Sequence, residues 1–267
     1  MALWQRQVIV RIGPPGGAGR QFTGLRTSFD VKMTRQSTPN EGTIEVYGVS
    51  GASAALIQSP DSMIELLVGY DVPRLIFRGN PVRDGVRVES RGPDRVLHVE
   101  AQDGARAYET ARVSVSFSQE VSFQEVFDAV AAQLGLPTGT LRTDSDVRFV
   151  NGVTLVGQAR DILDRLALST GSEWLVRDGV LSYVGAGEDT GEQAVVFSAD
   201  TGNLVGSPSV KDGAVQVKAL IEPSMRPGKP FRVQSRDVNG DYTASEVLFQ
   251  GDSTQGDFYV VVTGRPR

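Results

Sequence analysis

The chain has one histidine, His98, and no cysteine. Those two counts bound most of the chemistry open to it. Without cysteine there is no disulfide framework, no thiolate nucleophile and no sulfur-ligated zinc or iron–sulfur centre. With one histidine a multi-histidine metal site is impossible, and a Ser-His-Asp enzyme would have to use His98. That residue lies in a strand-like alternation with Val96 and Glu100, and no Gly-x-Ser-x-Gly nucleophile elbow occurs. His98 is therefore read as a strand histidine. No catalytic, cofactor-binding or metal-ligating residue is assigned, and no cofactor is expected.

Other candidate motifs reduce to turns. Asp237-Val-Asn239-Gly-Asp241 opens like a calcium loop, but its sixth position is Tyr242 and its twelfth is Leu248. A calcium loop needs glycine and a bidentate glutamate there. A hairpin turn at Asn239-Gly240 explains the same residues. Gly13–Gly19, Gly185-Ala-Gly187 and Gly228-Lys229 lack the Gly-Lys-Ser/Thr ending or the glycine spacing of nucleotide-binding loops. The carboxylate pairs Asp144/Asp146 and Glu188/Asp189 sit in polar, loop-like stretches and read as solvated acids. Trp4 and Trp174 suit a core or an interface.

The elements that would position these residues are short. The 267 residues include 30 glycines and 13 prolines, which favours many turns. A hydrophobic content of 40% with mixed charge reads as a folded chain. The net charge of −5 argues against a general nucleic-acid binder. No apolar run approaches the ~18–20 residues of a membrane helix, so no membrane insertion is expected. The start of the chain does not read as a signal peptide. Of 27 basic residues only Lys32, Lys211, Lys218 and Lys229 are lysine, leaving 23 arginines. That excess fits either interfaces, which favour the guanidinium fork, or biased codon usage.

The first hundred residues read as strands: Val8, Val10 and Ile12 alternate, as do residues 43–49 and 95–100, with apolar runs at 63–68 and 75–77. A weak helix is expected at Ala52–Gln58. The clearest strand is Arg112–Ser118, where Val113, Val115 and Phe117 alternate with serines. Ser122-Phe-Gln-Glu125 then forms a capping box before a stripe of Phe123, Phe127, Val130 and Leu134. A second helix is expected from about Gln158 to Ser169, followed by a hairpin around Asp178-Gly179. Beyond Gly187 strand grammar returns, with a further turn at Asp212-Gly213. The order β, then α/β, then β gives a mainly β chain with a central α/β insertion. Two tube-like β-barrel or sandwich modules, 1–109 and 189–267, are expected to flank a mixed domain at 110–188. Some strands of the last unit, from 189–215, can pack back on the first.

Several segments in this order resemble the baseplate hub proteins of phage tails, the group that includes the late-control protein of contractile-tailed phages. They are Pro39-Asn40 through Ser50, Ile64 to Tyr70 with Leu75 to Gly79, Gln102-Asp103-Gly104, Thr201 to Pro208, Pro223 to Gly228, Gly240-Asp-Tyr242 and Phe249 to Asp252. Each is turn chemistry beside a strand, and their order carries the likeness. The resemblance implies a non-enzymatic homotrimer of pseudo-sixfold symmetry. It would join the tail tube or tube-initiator protein to a central spike protein, with tape-measure and wedge or adaptor proteins nearby. DNA would only pass through its lumen. It implies a place in the virion baseplate, assembled in the host bacterial cytoplasm, and gives no interface residues. A distal tail or tube-initiator protein, and a carbohydrate-binding β protein, are the alternative readings.

Overall fold

A computed structural model describes residues 5–14, 19–35, 38–50, 62–104, 111–141, 147–185 and 187–267. Trp4, Ala52–Gln58, Asp144 and Asp146 lie outside the described residues. The N-terminal part contributes β1 (Arg6–Gly13), β2 (Arg20–Phe22), β3 (Thr27–Thr34), β4 (Glu41–Tyr47), β5 (Met63–Tyr70), β6 (Arg74–Arg91) and β7 (Asp94–Gln102). The centre contributes β8 (Arg112–Phe117), β9 (Val121–Ser122), α1 (Phe123–Leu134), β10 (Thr138–Leu141) and β11 (Arg148–Phe149). It continues with β12 (Val153–Gln158), α2 (Ala159–Thr170), β13 (Ser172–Arg177) and β14 (Val180–Gly185). The C-terminal part contributes β15 (Val195–Ser198), β16 (Ser209–Lys211), β17 (Ala214–Leu220), β18 (Pro230–Gln234), β19 (Asn239–Asp252) and β20 (Phe258–Pro266). The chain is mainly β with a central α/β insertion, and both helices among the described residues lie in that insertion.

Alternation builds the strands. Val8, Val10 and Ile12 of β1, Phe29, Val31 and Met33 of β3, and Phe258, Val260 and Val262 of β20 all point into one core. That core draws on both ends of the chain, because β3 pairs antiparallel with β19 from Ser28↔Asp252 to Thr34↔Glu246. The sheet runs β16-β17-β20-β19-β3-β4-β7-β6-β5-β1-β2, with β18 on β19 and β15 on β18. The backbone seam between the two ends is thus made by β3 and β19, and Phe197 of β15 joins the same core. Phe29 and Phe258 meet edge to face there, 5.9 Å apart. Each side chain of this kind contributes about 1.5–3 kcal/mol on full burial.

The central unit has a core of its own. Phe123, Phe127, Ile162, Leu166, Trp174 and Tyr183 belong to it. The capping box forms as its spacing predicts, with Ser122 accepting from the Glu125 N–H and Glu125 reaching back. Gly135 and Gly171 end the two helices in the left-handed conformation, where a side chain would be strained.

One turn signal behaves differently from its sequence reading. Asn239-Gly240 lies inside β19, and the β18–β19 turn is made by residues 235–238. Side chains centre that turn three positions upstream: Ser235 donates its N–H to Asn239 Oδ1 at 3.1 Å and its hydroxyl to the Val238 carbonyl at 2.8 Å. The long strand β6 carries an irregularity between Pro81 and Val86. The first part of β6 pairs with β5 and the rest with β7. Asp178-Gly179 and Asp212-Gly213 do form tight hairpin turns, with positive φ at both positions of each.

Candidate functional site

His98 sits on β7 with its ring between two carboxylates. Nδ1 is 3.3 Å from Glu45 and Nε2 is 2.9 Å from Glu100. Glu45 also accepts from Arg91 at 2.8 and 3.1 Å and from the Tyr47 hydroxyl at 3.0 Å. Burial pushes the Glu45 carboxyl up, but these donors outweigh it and hold it at about 2. Ser28 donates to Glu45 at 3.3 Å rather than to the ring. A nucleophilic triad needs the hydroxyl on the imidazole. The cluster is a cross-strand ion-pair ladder over β4, β7 and β6, extended by Arg87 between Glu89 and Glu100.

The other motifs are occupied by internal contacts. Asp241 takes Arg232 in a bidentate pair at 2.7 and 2.9 Å, and Asn239 closes its turn. Lys229 is buried, donates to the Ser224 carbonyl and pairs with Glu192. The Gly185 and Glu188 carbonyls accept from Arg35, and Asp189 pairs with Arg267. The Trp174 indole N–H donates to Asp164 at 2.7 Å. Among the described residues, no three His, Asp or Glu side chains converge as a metal site requires. Among them, too, no helix is long and apolar enough to cross a membrane.

The concentrated polar chemistry lies where the central unit meets the large sheet. Asp103, at the end of β7, is 3% exposed. Its Oδ2 accepts the Asp178 N–H at 2.7 Å and its Oδ1 the Gly179 N–H at 3.1 Å. The β13–β14 turn is thereby held by its backbone. Burial, then the facing Asp178 charge, push the Asp103 carboxyl up to about 6, against the pull of the two backbone donors and Asn40. Arg226 grips the same turn from the other side. Its guanidinium contacts Asp178 Oδ2 at 3.3 Å and donates to the carbonyls of Pro223 and Met225 at 2.8 Å and of Leu75 at 2.9 Å. Asn40 takes the Thr34 N–H at 3.1 Å and reaches the Val176 carbonyl at 3.4 Å. Arg35 pairs with Glu173 on β13, and Arg177 bonds Glu192 and the Pro227 carbonyl. Both oxygens of Asp103 are engaged and shielded from water. The joint can fix an orientation, and it offers no group to a substrate.

Three residues of the joint stand in turn segments that carried the resemblance: Asn40, Asp103 and Arg226. The sequence matches the family described as baseplate hub gp41 over residues 61–264. The chain belongs to the baseplate hub gp41 family. That is a family of structural tail components, and it places this hub chain among the proteins of the virion tail. No curated protein matches the sequence. Solved structures agree on the fold. The 43 kDa tail protein of prophage MuSo2 from Shewanella oneidensis is 10% identical, with a TM-score of 0.66 over 98% of this chain and 98% of its own. A tail protein from Neisseria meningitidis MC58 is 11% identical, with a TM-score of 0.68 over 98% and 96%. An E. coli component of the type VI secretion system, described as similar in structure to the T4 bacteriophage tail proteins gp27 and gp5, is 12% identical. Its TM-score is 0.59 over 91% of this chain and 73% of its own.

Sequence reasoning about the hub found the turns but not their convergence. Asp103 and Arg226 are 123 positions apart, and nothing in their local pattern pairs them. A cue was present for Asp103, an acid followed by glycine where an apolar alternation ends. The arginine excess also has a place within the hub chain: Arg35, Arg87, Arg91, Arg177, Arg226 and Arg232 all bind partners in the same chain.

Proposed function

We propose that the chain is a non-enzymatic structural hub that trimerises into a pseudo-sixfold ring between the tail tube and a central spike. The carrying observation is the construction of the molecule. Its two outer segments share one sheet and one core, and the central unit is fastened to them by a buried polar joint. Residues 1–109 and 189–267 would be the two tube-like modules and 110–188 the inserted domain. Three copies would set six β halves around an axis, which matches a sixfold tube above and a threefold spike below. Closing such a ring covers sheet edges that would otherwise be open. The partners of this reading are a second and third copy, the tube or tube-initiator protein, the spike, and tape-measure and wedge proteins at the periphery. DNA passes through the lumen without specific binding, and an acidic chain repels it. Assembly takes place in the host bacterial cytoplasm.

The test is positional. A gold-labelled tag at the C-terminal end is located by electron microscopy on purified tails. The hub reading expects label at the tube end, directly over the spike. Label along the tube, or none on particles that carry the protein, overturns it.

A further inference from the structure

The central unit contains a two-stranded ribbon, β8 with β12, whose two edges are treated differently. On β8, the Gln133 side chain from α1 plugs the outer edge. It accepts the Ser114 N–H at 2.7 Å and donates to the Ser114 carbonyl at 2.8 Å. Ser114 therefore turns its backbone away from β12, and its partner Val156 must do the same. The Ala159 N–H donates to the Ala111 carbonyl at 3.0 Å, which fixes the same alternation from the other end. In an unbroken ladder Ser116 and its partner Thr154 follow the pattern. On β12 the N–H and C=O groups of Thr154 and Val156 thus face outward. Among the described residues, no strand and no side chain covers them.

The side chains agree. Thr154 and Val156 are exposed, Val156 at 65%, and they share one face with the exposed Ser114 and Ser116. Arg112, opposite Gln158 at the end of β8, is the one charge on that face, and strand β12 itself carries neither charge nor proline. Natural edges are usually protected by one or the other. Val150, in the turn just before β12, is also 70% exposed.

We infer that the outer edge of β12 receives an extended, uncharged segment of a different baseplate protein, which adds a strand to the β8–β12 ribbon. The unpaired backbone groups specify an extended occupant, because only a strand presents donors and acceptors at that spacing. The uncharged strand β12 specifies a neighbour with small or β-branched side chains. Pairing this edge with the same edge of a second copy is disfavoured by symmetry, because that contact needs a twofold axis, which a threefold ring lacks. This inference rests on the baseplate reading given above.

Residue-resolved hydrogen exchange tests it on the intact chain, free and within purified tails. The Thr154 and Val156 amides should exchange about tenfold or more slowly in tails than in the free protein, while Leu155, bonded to β8, is protected in both. Val156→Pro removes one outward N–H without touching the ladder, which an edge strand tolerates. It should leave the thermal midpoint of the free protein unchanged and cut incorporation into tails about tenfold. Equal exchange of both amides in free protein and tails overturns the inference, whatever the variant does. Protection already present in the isolated oligomer also overturns it, because the occupant would then be a second copy. Tails that lack the chain altogether would instead overturn the baseplate reading, so the two failures are distinct.

Discussion

Replacing Asp103 with asparagine should change how stability depends on pH more than it changes stability at any single pH. The carboxyl group is pushed up from an ordinary value of 3.8 to about 6 by burial and by the charge of Asp178. The folded chain therefore binds this proton more tightly than the unfolded chain. The stability it contributes is fully present below pH 3.8 and is lost as pH rises through about 6. The whole shift corresponds to about 3 kcal/mol, and about 1.4 kcal/mol of it falls between roughly pH 5 and pH 7.5. Asp103→Asn cannot titrate. It also turns an amide NH2 toward the N–H of Asp178 or Gly179, which costs about 1–3 kcal/mol at every pH. The wild type should be the more stable protein at pH 5, and its advantage should shrink by about 1.4 kcal/mol by pH 7.5. The assay is urea unfolding at fixed protein concentration and ionic strength, followed by the fluorescence of Trp174 in the central core. Comparing wild type with variant cancels other titrating groups. A difference that stays constant across this range would refute the account of the joint.

The joint makes a second prediction. Arg226→Ala strands Asp178 beside Asp103 and leaves three carbonyls without their donor, so it should cost about 3 kcal/mol in urea unfolding. Limited proteolysis should then open the central unit before the large sheet. At the seam, a Cβ on Gly251 would lie 2.6 Å from Phe29 Cζ and 2.8 Å from Phe258 Cδ2. Gly251→Val should destabilise by about 2 kcal/mol through overpacking, measured as a lower denaturant midpoint with an unchanged m-value. Ser122→Ala removes the cap of α1 and should cost about 1 kcal/mol by the same measurement. A negligible effect from either change would mean that the seam or the cap is looser than described.

Local grammar was largely legible, and long-range closure was not. The capping box, the αL glycines after both helices and the Asp-Gly turns are settled by residues within a few positions of each other. Sequence therefore suffices for them. Strand β3 carries an alternation too, at Phe29, Val31 and Met33. Its partner β19 lies over two hundred positions away, and backbone pairing carries no residue code that would announce the match. The same limit hid the joint. Asp103 looked like the end of a β unit and Arg226 like part of a Pro-Gly turn, and only the fold brings both onto the Asp178-Gly179 turn. Asn239-Gly240 misled because its dipeptide signal is strong, while Ser235 and Asn239 side chains closed the turn earlier. His98 was read rightly as a strand residue. Its two carboxylate neighbours come from cross-strand register and from the same strand two positions on, which alternation alone made accessible only for Glu100.

The most direct test of the hub account is the native mass of the assembly, measured by light scattering across a concentration series, alone and with the candidate spike protein, with negative-stain images of the same samples. The account predicts a ring with an open centre and three times the chain mass of 28.7 kDa, which takes up the spike on one face. A ring of six copies, or a chain that stays monomeric even with the spike present, would contradict it.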